Sequence, residues 1–158
     1  MQVQVLWGSG ILNDSQNDAK KIVNELLVDI FNRILIIEAE FMKEKSVKLS
    51  MNEIHVLEAI EKVEEPSMSN IAKKLHITVG SLTIAINTLY QKKYVIREKD
   101  VNDRRKVLIK LTEDAKLVLR KHDLFHEQMI DSIFKELNVG EDQVLIDSLR
   151  NLSSFFSR

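Results

Sequence analysis

Between Ala19 and Lys45 the apolar residues Ile22, Val23, Leu26, Leu27, Ile30, Phe31, Ile34, Leu35, Ile37 and Phe41 recur with glutamates and lysines between them. That spacing predicts one long amphipathic helix. Its apolar stripe is wider than a single core-facing side requires, which assigns part of it to a second chain. In "LSMNEIHVLEAI", Ser50 is followed three residues later by Glu53. This is a capping box, and a second helix starts there. Pro66 interrupts the pattern and Ser67 caps a short helix, "SNIAKKLH", with Ile71, Ala72 and Leu75 facing inward. After a brief turn, Thr78 caps "VGSLTIAINTLYQKK", whose buried row is Leu82, Ile86 and Leu89. Two short helices joined by a tight turn form a candidate helix-turn-helix.

The period then changes. "YVIREKD" and "KVLIKLT" alternate, are rich in β-branched residues and flank a turn containing Asn102 and Asp103, so they pair as a hairpin. Thr112 begins another helix, with Glu113 and Asp114 in its first turn where the dipole favours anions. That helix runs through "KLVLRKHDLFHEQMIDSIFKEL" and ends at Asn138 and Gly140. A last helix over "EDQVLIDSLRNLSSFF" lines up Leu145, Leu149, Leu152 and Phe156. Both terminal segments are therefore apolar helices with little of one chain left to cover. The simplest arrangement is a homodimer whose terminal helices intertwine. Residues 1–16 read as a flexible or extra N-terminal arm.

Composition narrows the class. Among 158 residues, 44% are hydrophobic and 30% charged, with four glycines and one proline. Too few breakers are present for a turn-rich all-β fold or a disordered chain. The fold class is mainly α, an α+β winged helix. No cysteine is present, so disulfides, thiolate metal sites and thiol redox sensing are excluded, as fits a cytoplasmic protein. The longest pure apolar run on a helix, Ile34 to Ile37, is far below the roughly 20 residues of a membrane span. The opening residues carry no cationic leader and do not read as a signal peptide.

Charge is polarised along the chain. From Gln91 to Lys110 there are eight cations against three acids, a net +5, in a chain whose formal net charge is -1. A cation run is ordinarily a solvated face. Here it follows a helix-turn-helix and ends on a hairpin tip with adjacent Arg104 and Arg105, the electrostatic footprint of duplex binding.

The order helix-turn-helix, hairpin with Asp-Arg-Arg, then "LT" opening a long helix resembles the MarR family of bacterial transcription regulators. The resemblance runs from about Lys20 onward and is most specific in "ITVGSLTIAINTLYQKKYVIREKDVNDRRKVLIKLTEDA". Around Thr78 to Arg97 and His122 to Met129 it is most similar to the subgroup repressing fatty-acid synthesis genes. It implies one domain over 17–158, with dimerisation helices at about 17–46 and 113–158 and a DNA-binding lobe at about 48–112. Two recognition helices would enter successive major grooves of a pseudo-palindrome in double-stranded DNA, and two wings the flanking minor grooves.

On the recognition helix, Thr78, Ser81, Thr83, Ile84, Asn87 and Thr88 lie off the buried row. Thr83 and Asn87 suit base edges, Asn pairing with adenine, and the methyl groups of Thr83 and Ile84 suit thymine. Many relatives have arginine where this chain has Ile84 and Thr88, which turns the expectation toward an A·T-rich site. Lys92 adds a cation at the end of the helix. At the turn, with Asn102, Arg105 matches the family's minor-groove arginine, Arg104 and Lys106 are placed for phosphates, and Asp103 braces Arg105. Lys93 stands where the family commonly has glycine, so it must adopt the left-handed conformation or shift the cap.

The effector is less defined. His122 and His126 are four residues apart on one helical face, and the resemblance brings His55 near them. Lining an apolar interhelical cavity is one role for them. With Glu38, Glu40 or Glu127 they also make a candidate zinc or nickel site, as in zinc-responsive repressors of the same family. The fatty-acid subgroup implies instead an acyl chain on acyl carrier protein, or another small apolar ligand, lined by Ile34, Phe41, Leu57 and Phe125. The same residues suit an ordinary core. Neither a resident cofactor nor a membrane partner is expected. No Gly-rich phosphate loop, nucleophile elbow or catalytic carboxylate pair is present, so an enzyme is not expected. The competing class is a winged-helix interaction module without DNA binding, against which the cationic wing weighs.

Overall fold

The structure, a computed structural model, describes residues 14–100, 103, 106–137 and 142–157, and these form two compact units that divide between Glu40 and Phe41. The first unit is helical throughout. Helix α1 (Asp14–Glu25) passes through a π-helical turn (Leu26–Ile30) into α2 (Phe31–Glu44), whose last residues belong to the second unit. The expected helix is thus present but begins at Asp14 rather than Ala19 and contains a wide turn. The extra residue of a π turn rotates the apolar stripe beyond it, so Ile22, Leu26, Phe31 and Ile37 do not fall on one narrow line. All four are exposed.

The second unit carries three helices and a hairpin between residues 51 and 111. Helix α3 (Met51–Lys62) starts on the capping box: Ser50 Oγ accepts from Glu53 N, and Glu53 Oε2 accepts from Ser50 N at 2.8 Å. Helices α4 (Met68–Lys74) and α5 (Val79–Gln91) are capped by Ser67 and Thr78. Strands β1 (Val95–Lys99) and β2 (Val107–Leu111) pair antiparallel, with Arg97 opposite Ile109. Ile54, Leu57, Ile71, Leu82, Ile86, Leu89, Val95 and Ile109 are at most 1% exposed and form the core. Each contributes on the order of 1.5–3 kcal/mol by leaving water.

Three helix ends turn through left-handed residues that are not glycine. Ser46, His76 and Lys93 have φ of 59°, 54° and 65°. At each, the next residue donates to the carbonyl five positions back, as Tyr94 N does to Leu89 O at 2.9 Å. Of the two outcomes open to Lys93, the cap keeps its place and the lysine takes the strained conformation. The loop before α4 also joins the hairpin: Ser67 bridges Leu108, and Ile109 N donates to Pro66 O at 2.9 Å. Nothing in the alternation of the two strands announces this third edge.

Helix α6 (Glu113–Leu137) is capped by Thr112; it buries Ala115, Val118 and Leu119 in the core of the lobe, His122 beside His55 of α3, and Phe125 beside Phe41. Farther on, Ile130, Ile133 and Phe134 on α6 are exposed. Helix α7 (Gln143–Phe156) starts on the Asp142 cap and exposes Leu145, Leu149 and Phe156. Among the described residues, no helix is long and apolar enough to cross a membrane.

Candidate nucleic-acid interface

Helix α5 presents a polar and apolar outer face because its inner row, Leu82, Ile86 and Leu89, is fully buried. On the outer face Ile84 is 72% exposed, the most exposed large apolar side chain of the helix. An isoleucine that open in the middle of a helix gains nothing from the chain's own fold. Hydroxyls near it are already oriented. Thr83 Oγ1 donates to Val79 O at 2.7 Å and Thr88 Oγ1 to Ile84 O at 3.1 Å. Each therefore offers a ligand its methyl group and an oxygen acceptor. Thr78 and Ser81 share their hydroxyls at 2.9 Å, and Thr78 Oγ1 also accepts from Ser81 N at 3.1 Å. They serve the cap and leave one hydroxyl hydrogen between them.

Asn87 is engaged from the hairpin. The Arg97 guanidinium donates to Asn87 Oδ1 at 2.5 Å and lies 5.4 Å from the Tyr90 ring centroid. Arg97 stood in the basic window without an assigned contact. The alternation of β1 was a usable signal: Val95, Arg97 and Lys99 share the strand face on which Val95 enters the core.

Several cations of the window pair with acids. Lys92 Nζ donates to Glu53 Oε1 at 2.6 Å, Lys106 Nζ to Glu65 Oε1 at 2.7 Å, and Lys110 pairs with Glu98 across the hairpin. Glu53 is pushed up by partial burial, but hydrogen bonds from Lys92 and Ser50 outweigh this and hold it below its ordinary range. Lys106 is held above the usual lysine range by its hydrogen bond to Glu65. The Lys106–Glu65 and Lys110–Glu98 pairs are about half exposed, so each is weak and can give way to a phosphate, whereas Glu53 is largely buried beneath Lys92. At the tip, Asp103 N donates to Asp100 Oδ1 at 2.9 Å and Asp103 O accepts from Lys106 N at 2.9 Å, closing the turn. Asn102, Arg104 and Arg105 lie outside the described residues, and with them the expected Asp103–Arg105 brace.

The candidate effector residues fall into two groups. Ile34 belongs to the first unit, whereas Phe41, His55, Leu57, His122, Phe125 and His126 belong to the second. Leu57 and Phe125 are packed core residues, and the Phe41 ring lies 5.5 Å from that of Phe125. The three histidines do come together: ring centroids are 5.8 Å apart for His55 and His122 and 4.6 Å for His122 and His126. His122 Nε2 and His126 Nε2 are 3.3 Å apart. His55 also borders a groove of about 400 Å³ shared with Val56, Leu75, Ile77 and Ala85.

Comparisons with known proteins agree with this geometry. The sequence profile of the MarR family matches residues 49–107, from the start of α3 to the start of β2. The HTH-type transcriptional regulator SarZ of Staphylococcus aureus is 31% identical over 103 residues, 65% of this chain and 66% of SarZ. The crystal structure of Streptococcus pneumoniae FabT in complex with DNA superposes with a TM-score of 0.75 at 30% identity, over 87% of this chain and 97% of FabT. Bordetella bronchiseptica BpsR, whose DNA binding is regulated by 6-hydroxynicotinic acid, superposes with a TM-score of 0.62 at 27% identity, over 91% and 98%.

Proposed function

This chain belongs to the MarR family of winged-helix, DNA-binding transcription regulators, and on that premise we propose that it is a homodimeric, ligand-responsive repressor of an A·T-rich pseudo-palindrome, in the cytoplasm. The observation that carries the reading is the open face of α5, with Ile84 at its centre and a basic hairpin beside it. An exposed isoleucine and two threonine methyl groups match thymine methyls in the major groove, and the described part of α5 carries no arginine for guanine. Helices at about 17–46 and 113–158 would form the dimer, for which the exposed apolar residues of α1, α2, α6 and α7 are the support. Arg104 and Arg105 would enter the flanking minor groove, and Lys106 would exchange its carboxylate for a phosphate.

Regulation follows from two half-sites needing one fixed separation. A ligand that favours another spacing of the recognition helices lowers affinity by its differential binding to the two states. BpsR sets a precedent among its relatives for a small carboxylated ligand. For this chain an acyl chain on acyl carrier protein, or another small apolar effector, remains the first candidate, on the resemblance of residues 78–97 and 122–129 to the fatty-acid subgroup.

A second reading, a zinc-responsive repressor, is favoured by one distance. Two imidazole nitrogens bound to one tetrahedral zinc at about 2.0–2.1 Å stand about 3.3 Å apart, and His122 and His126 Nε2 have that separation. His55, whose ring lies 5.8 Å from that of His122, is a further imidazole donor in the same unit.

The experiment is duplex binding by fluorescence anisotropy across a salt series, with Arg105→Ala beside the wild type. Affinity should fall steeply with salt and the slope should shrink by about one for Arg105→Ala. Binding that is absent, or indifferent to salt, ends the DNA reading. Metal analysis and native mass spectrometry of the purified protein separate the effectors. One zinc per chain, lost in a His122→Ala His126→Ala variant, would replace the acyl reading with the metal one.

A further inference from the structure

We propose that Arg97 is a specificity-determining residue that acts through Asn87: it turns the Asn87 carboxamide so that the recognition helix offers DNA the amide NH2, a donor, in place of two-point pairing with adenine. The inference rests on the DNA-binding reading above. A guanidinium has five N–H donors and no acceptor, so the amide atom facing it must be the oxygen. The 2.5 Å contact from Arg97 to Asn87 therefore fixes which way the carboxamide is turned. Tyr90, three residues after Asn87 on the same helix, carries the other side of the guanidinium at 5.4 Å. The backbone of Arg97 is fixed by its pairing with Ile109, which is fully buried. The arginine is thus positioned by a strand, by a ring and by a hydrogen bond.

The consequence is chemical. Two-point pairing of asparagine with adenine needs Oδ1 to accept from the adenine amino group while Nδ2 donates to N7. Arg97 occupies one lone pair of Oδ1 and places a positive charge beside the other. An adenine amino group, itself a donor with positive hydrogens, must then approach past a cation. The Nδ2 hydrogens point the opposite way and suit a base acceptor, thymine O4 or guanine O6 and N7. The wing strand in this way edits what the helix reads.

Selection from a randomised duplex pool tests this with the full chain as wild type, Asn87→Ala, Arg97→Met and Asn87→Asp, each first checked by thermal melting. Asn87→Ala identifies the position in each half-site at which Asn87 is read. At that position the wild type should enrich thymine or guanine, and Arg97→Met should move the preference to adenine by about tenfold, with the remaining positions unchanged. Asn87→Asp keeps an acceptor for Arg97 but has no donor. It should melt no lower than wild type and lose the preference there altogether. Enrichment of adenine by the wild type, an unchanged preference in Arg97→Met, or an Asn87→Asp protein that melts as low as Asn87→Ala overturns the role of Arg97 while leaving DNA binding intact. A pool from which the wild type enriches nothing ends the DNA reading itself. If Arg97→Met does not fold, the Asn87→Asp melting and selection results decide alone.

Discussion

Lys92, the residue that closes the recognition helix, donates to Glu53 at 2.6 Å, and Glu53 in turn holds the first turn of α3 through Ser50. One carboxylate therefore ties the first turn of α3 to the C-terminal end of α5. Glu53→Gln keeps an acceptor for Ser50 N, since glutamine also closes a capping box, but removes the charge that Lys92 meets, and should cost about 0.5–1 kcal/mol at neutral pH. Because the folded carboxyl lies below its ordinary value of 4.5, its contribution is present above that value and is lost as pH falls through the folded value. Urea melts at pH 7 and at pH 4 or below should show the gap between wild type and variant closing with acid. A gap independent of pH would mean that the charge of Glu53 does not matter.

Lys93 takes a φ of 65° to end α5. A side chain in that region costs about 1–2 kcal/mol, part of which glycine returns through the greater freedom of its unfolded chain. Lys93→Gly should stabilise the protein by about 0.5–1 kcal/mol, a rise of roughly 2 °C in Tm for a chain of this size. A lower Tm would show that the lysine side chain contributes more than its backbone costs.

The open face of α7 is expected to lie against a second chain. Leu149 is half exposed on it. Leu149→Lys places a charge in that contact and should shift the sedimentation profile from dimer toward monomer at micromolar concentration. A wild type that sediments as a monomer at every concentration would remove the dimer from the proposal.

Ile84 is expected to read a thymine methyl group. Replacing single thymines of a selected site by uracil removes only that methyl, and at one position per half-site this should weaken wild-type binding by about 1 kcal/mol, the low end for a base contact. The same replacement should leave Ile84→Ala unaffected. Equal losses in both proteins would place the methyl contact elsewhere.

Much of the architecture was legible in the chain itself. The capping box at Ser50 and Glu53, the caps at Ser67 and Thr78, the buried row Leu82, Ile86 and Leu89 and the hairpin strands all stand where their periods and local chemistry place them. These features depend on residues within one or two turns of each other. The cap at Lys93 was only half legible: the missing glycine left either a left-handed lysine or a shifted cap, and the structure shows the first.

Tertiary structure alone decided what joins distant segments. Sequence period says which face of α5 is open, but not that Arg97, ten residues on, holds Asn87, that Lys92 pairs with Glu53 across 39 residues, or that Lys106 pairs with Glu65 across 41. Long cationic side chains reach several ångströms in many directions, and composition does not choose among the acids within reach. The docking of Pro66 and Ser67 on β2 was hidden for a related reason. Backbone edges carry no side-chain signature, so only the packing of α3 and α4 brings that loop to the strand. The clustering of His55 with His122 has the same origin, since a spacing of four places His126 beside His122 but only the packing of α3 on α6 brings in the third ring.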